Sequence, residues 1–215
     1  MNQKVMLINV EVVATSYIQK FKQFHLNIAN EAYNIPDDFF ESSISAAYDQ
    51  KEKTNYRYPR FDLFNQDLKA IYDEINQEIH PNNKTLSYLV SLAQKYNYKV
   101  AFIFDQSKKQ GHHLAEILTN WVSDCIVLFG DQSLLGKPEP NLYERAIKHF
   151  NASANHSIVI DSTRNGILAA FLANARSIYV DLGLGITERI FKYSTSQAND
   201  IYDIERLIQS IHNER

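Results

Sequence analysis

Residues 157–170 read Ser157-Ile158-Val159-Ile160-Asp161-Ser162-Thr163-Arg164-Asn165-Gly166-Ile167-Leu168-Ala169-Ala170. The stretch opens as a short apolar run, stops on a carboxylate and turns apolar again after a polar loop. A strand covered on both faces and followed by a helix has this pattern. Comparable runs lie at Val5 to Ile8, Val100 to Phe104, Cys125 to Phe129 and Ser177 to Val180. From the second run onward, each is separated from the next by enough polar or periodic sequence for a helix. Strands alternating with helices predict an α/β fold: a doubly wound parallel sheet, Rossmann-like, with helices on both faces.

The first two runs are about ninety residues apart, whereas a single crossover needs only about a dozen. The interval carries helical stripes at Ile18, Phe21, His25, Ile28 and Ala32 and at Phe61, Phe64, Leu68, Ile71 and Ile75, with Asp37 able to cap a helix between them. Residues 1–13 and 81–215 are therefore expected to form the core, and residues 14–80 an inserted helical cap. Tyr56 and Tyr58, set in a polar stretch near Arg60, are its candidate interface aromatics. In the core, Asn83 is read as the cap of a helix striped by Leu86, Leu89, Val90 and Ala93. Further helices are expected over 140–150, 165–174 and Ile201 to Ile211.

Composition narrows the function. The 215 residues are 45% hydrophobic and 22% charged, with net charge −3, so disorder and fibrous repeats do not fit. No basic patch supports a nucleic-acid partner, and no apolar stretch is long enough to span a membrane. A chain with no export signal in its opening residues and a single cysteine, Cys125, is expected in the cytoplasm. Cys125, beside an apolar run, reads as a small buried hydrophobe. Adjacent His112 and His113 would point about 100° apart on a helix, poor geometry for sharing a metal. Gly183-Leu184-Gly185 lacks the third glycine of a dinucleotide loop.

In doubly wound sheets ligands sit beyond the carboxyl ends of the strands. The residues there include Asn9 to Val13, Phe104 to Ser107, Gly136-Lys137-Pro138-Glu139-Pro140-Asn141-Leu142-Tyr143, and Asp161-Ser162 followed by Gly166-Ile167-Leu168-Ala169-Ala170. In these last two motifs, at this separation and each after a strand, the sequence resembles the haloacid dehalogenase-like superfamily, mostly phosphatases, in its branch with a helical cap after the first strand. The resemblance covers nearly the whole chain, the cap by position and helicity only. It implies a first strand ending in Asp-x-Asp-Gly-Thr, where one aspartate attacks phosphorus and the other moves protons. It also implies a Ser or Thr after the second strand and a Lys in Gly-Lys-Pro to hold phosphoryl oxygens, and carboxylates after the fourth strand to hold magnesium.

Against that pattern, the nucleophile position is Asn9, whose neutral amide cannot form an aspartyl-phosphate, and the acid/base position is Glu11, one methylene longer. Val12 and Val13 replace Gly and Thr. Phe104 falls at the phosphate-binding hydroxyl, or Asp105 if the register slips by one; Ser107 lies farther along. Lys137 remains at the phosphate position, and Asp161, with Asn9, at the metal position. With so few carboxylates, magnesium is expected to bind weakly or not at all. Lys137 and Asp161 can be read as residual anion and metal contacts, or as a salt bridge at the mouth of the cleft, worth little if exposed. The leading expectation is a catalytically defective member acting in binding or regulation, its partner a small anionic ligand or a protein. The alternative is a magnesium-dependent hydrolase (phosphatase) acting on a small phosphorylated metabolite.

Overall fold

The computed structural model describes residues 3–14, 79–133, 136–182 and 192–213. The cap stripes, Tyr56, Tyr58 and Gly183-Leu184-Gly185 lie outside the described residues. In chain order the elements are β1 (Lys4–Asn9), α1 (Val10–Val13), α2 (Asn83–Lys95), β2 (Tyr98–Ile103), α3 (Lys108–Trp121), β3 (Cys125–Leu128), α4 (Asn141–His149), β4 (Ile158–Asp161), α5 (Arg164–Leu172), β5 (Arg176–Val180), β6 (Ser196–Ala198) and α6 (Asp203–Asn213). The strands form one sheet in the order β3-β2-β1-β4-β5-β6, and every pairing is parallel. This is the expected α/β sheet, with the insertion falling after β1 and a short sixth strand added at the edge.

Two-residue alternation divides the core between the two faces of the sheet. Met6, Ile8, Phe102, Phe104 and Ile160 pack on the face covered by α2, α3 and α6. Val5, Leu7, Ala101, Ile103 and Val159 pack on the other face, against α4 and α5. Every expected apolar run is a strand because both of its side-chain sets find a helix to bury against.

Helix boundaries follow local chemistry. The side chain of Asn82, one residue before the expected cap, accepts from the backbone N–H groups of Lys84 and Thr85, because Asn82 is still extended while Asn83 is already helical. Ser107 caps α3 in a reciprocal box with Gln110. Asn97, Asn151 and Asn174 adopt positive φ just beyond the ends of α2, α4 and α5. Asparagine thus does at three helix ends what glycine usually does, which fits a chain with only six glycines. No helix among the described residues is long and apolar enough to cross a membrane.

Candidate functional site

The chain runs from β1 outward to β2 and β3, then returns to place β4 on the other side of β1. Beyond the carboxyl ends of β1, β2 and β4 the sheet therefore has a topological switch point. Asn9, Asp105 and Asp161 continue the parity of Leu7, Ile103 and Val159 past the apolar core. All three therefore emerge on the α4/α5 side. Lys137 and Tyr143 arrive on that side from the loop before α4 and from its first turn, where Gly136 takes φ +66° and the Lys137–Pro138 peptide is cis.

These five side chains form one buried network. Asn9 Nδ2 donates to Asp105 Oδ2 and to Asp161 Oδ2, both at 3.0 Å, while Asn9 Oδ1 accepts the backbone N–H of Glu11 at 2.9 Å. The Lys137 ammonium bridges the same two carboxylates, at 3.0 Å from Asp105 Oδ1 and 2.7 Å from Asp161 Oδ2. The Tyr143 hydroxyl donates to Asp161 Oδ2 at 2.6 Å. The other oxygen, Asp161 Oδ1, accepts from the backbone N–H and the hydroxyl of Thr163, at 2.7 and 2.8 Å. The side chains of Lys137 and Asp161 are 3% and 0% exposed.

Of the residues read as the site, Asn9, Lys137 and Asp161 meet. Glu11 is buried on the turn after Asn9 and reaches it through its backbone. Phe104 does not join them. It shares the parity of Phe102, lies in the core with its ring 4.9 Å from that of Phe129, and leaves the cleft to its neighbour Asp105. Ser107 is occupied as a helix cap. The expected salt bridge is present, but it is buried and not at an exposed mouth, since the lysine and both aspartate side chains are almost wholly covered. Val12 and Val13, in place of Gly and Thr, form a buried turn of helix within the apolar core. His112 pairs with Glu116 on the surface, and His113 stands edge-on to His80, so the two histidines face different neighbours. Cys125 is half-buried, and burial pushes its thiol up to about 11.

Two further partners, Tyr143 and Thr163, carry no assignment from the sequence, and Asp105 stands there only as the alternative to Phe104. Asp105 was legible from the alternation Val100, Phe102, Phe104, which sends position 105 to the opposite face. Tyr143 stands in the quoted motif, in the first turn of the helix that follows Lys137, although nothing in its residue type announces a contact with Asp161. Thr163 has a local signal, since a threonine two residues after a strand-terminal aspartate and three before Gly166 can serve as an N-cap. Its hydroxyl accepts from the Gly166 N–H at 3.0 Å while donating to Asp161.

Burial alone would raise the Asp161 carboxyl, but the Lys137 charge and the hydrogen bonds from Lys137, Tyr143 and Thr163 bring it below its ordinary 3.8. Burial alone would lower Lys137, but Asp105 and Asp161 together hold it well above 10.5. The ion pair's contribution is therefore present at neutral pH, and Asp161's share is lost as pH falls below 3.8 through its folded value. The stability gap between wild type and Asp161→Asn, measured by urea unfolding, is expected to be largest near neutrality and to narrow at acid pH. A gap constant from pH 7 to about pH 2 would contradict the ion-pair assignment.

The donor set also tests the fit of a divalent ion. Asp161 receives five donors on about four lone-pair directions, and each Asp105 oxygen already has a partner. Among the described residues no three His, Cys, Asp or Glu side chains form a group suited to a metal. A divalent ion bound by Asp161 would have to displace one of these donors.

A family model for haloacid dehalogenase-like hydrolases matches residues 8–174. No curated protein matches the sequence. Among solved structures, a hydrolase from Pseudomonas syringae superposes with TM-score 0.70 at 16% identity, covering 97% of this chain and 99% of that one. A beta-phosphoglucomutase from Clostridium difficile gives 0.65 at 15% identity, over 99% and 98%. A haloacid dehalogenase-like protein of unknown function from Agrobacterium tumefaciens gives 0.70 at 12% identity, over 96% and 98%.

Proposed function

Since the chain belongs to the haloacid dehalogenase-like hydrolase family, we propose that it is a member without covalent phosphoryl transfer, retained for binding or regulation. One observation carries this reading: the Asn9 amide nitrogen donates to two buried carboxylates at once. A carboxylate at that position would turn an oxygen toward two other carboxylates, so the surroundings are built for the amide and oppose an aspartate nucleophile. An amide oxygen held by the Glu11 N–H cannot attack phosphorus to give an acyl phosphate. Nor is there a hydroxyl at Phe104 to hold a phosphoryl oxygen, and Lys137 is engaged by Asp105 and Asp161. The partner is a small anionic ligand or a protein.

A second reading, a magnesium-dependent phosphatase acting on a small phosphorylated metabolite, is favoured by the family itself and by the retention of Lys137 and Asp161. It would require Glu11 or Asp161 to activate water directly. A panel of phosphomonoesters assayed with magnesium separates the two. Background turnover by wild type, with little gained in Asn9→Asp, is the expected result. Turnover well above background that disappears in Asp161→Ala would overturn the binding reading. A large rescue in Asn9→Asp would mean that the rest of the hydrolytic apparatus is intact.

A further inference from the structure

We propose that the Lys137 ammonium is the resident cation of this cleft and that, together with the Asn9 amide, it occupies the coordination a divalent ion would require from Asp105 and Asp161. Each carboxylate is met once by the ammonium and once by the amide. The two donors thus bridge the aspartates in the way a shared metal ion bridges carboxylates. A magnesium ion needs near-octahedral oxygen ligation at about 2.0–2.1 Å and carries that demand chiefly through one or two carboxylates and water. Asp161 has no lone pair left to offer it, and the nearest cation, Lys137, would repel it at close range.

Burial makes the substitution consequential. Two aspartates beneath the strand ends require compensation, since an uncompensated buried carboxylate is costly. The one ammonium offsets one of the two negative charges, and the hydrogen bonds from Asn9, Tyr143 and Thr163 solvate the other without adding negative charge. The site is therefore expected to be complete without metal. Removing the ammonium frees Asp105 Oδ1 and takes away the charge that would repel a divalent ion, and Asn9→Asp adds a further carboxylate, so either change gives such an ion a place to bind.

This inference rests on the reading of the cleft as a non-covalent site, and the two fail differently. The full chain is titrated with manganese, followed by the electron paramagnetic resonance signal of the free ion, and its thermal unfolding is recorded with magnesium against sodium at equal ionic strength. Wild type is expected to take up no manganese saturably and to show no magnesium-specific shift. Lys137→Met is expected to gain one saturable site, at least about tenfold tighter than any wild-type uptake, and a magnesium-dependent rise in unfolding temperature. Should Lys137→Met fail to fold, Asn9→Asp, which keeps the ammonium and adds a third carboxylate, is expected to gain the same site. Saturable wild-type uptake that Asp161→Asn abolishes overturns the inference, as does the absence of uptake in every folded variant. Saturable manganese uptake by wild type without phosphatase turnover sinks this inference alone, whereas metal-dependent turnover by wild type sinks the binding reading as well.

Discussion

In metal-free buffer at pH 7, Lys137→Met is expected to lower the free energy of unfolding by about 3–5 kcal/mol, the range for removing one partner of a buried ion pair. Methionine approximates the length of the lysine stem, so lost packing is a minor part of the effect. The larger part is electrostatic: Asp105 and Asp161 remain buried, with only the Asn9 amide between them and with Tyr143 and Thr163 as further donors to Asp161. A domain of this kind has roughly 5–15 kcal/mol in total, so the variant would sit near the edge of folding. Urea denaturation is the measurement, with the midpoint falling while its slope is unchanged. A loss under about 1 kcal/mol would place Lys137 in the class of exposed pairs and contradict the geometry.

Most of the sheet could be read directly from the chain, because burial on both faces writes strands as uninterrupted apolar runs and α4 and α5 cover one face as α2, α3 and α6 cover the other. Strand β6 could not. Ser196-Gln197-Ala198 has no apolar run, and it becomes a strand only because β5 offers it a free edge. The cleft was legible in part, for a physical reason. Asn9, Lys137 and Asp161 carry their chemistry in their residue types and in their place after strands. Which of Phe104 and Asp105 enters the cleft depends instead on pleat parity, and the resemblance to a hydroxyl position left both registers open. The degree of burial was also hidden, since an exposed and a buried Lys–Asp pair have the same sequence. The division at residue 14 and the helices expected up to residue 80 lie almost wholly outside the described residues.

Gly166→Ala is expected to destabilise the protein by roughly 2–3 kcal/mol, although Gly166 lies inside helix α5, where helix propensity alone would favour alanine by up to about 1 kcal/mol. A Cβ at this position would fall inside contact distance of Cγ and both oxygens of Asp161. That carboxylate cannot step aside, because Lys137, Tyr143, Asn9 and Thr163 hold it from several directions. The backbone approaches so closely because the Gly166 N–H caps onto Thr163, whose hydroxyl is itself bound to Asp161. No side chain fits at position 166 while Asp161 is clamped. A double-mutant cycle isolates the contact. In an Asp161→Ala background the obstacle is gone, so Gly166→Ala should cost little or even stabilise, giving a coupling of about 2 kcal/mol between the positions. Equal effects of Gly166→Ala in both backgrounds would show that the helix tolerates a Cβ and that the clamp on Asp161 is looser than these hydrogen bonds require.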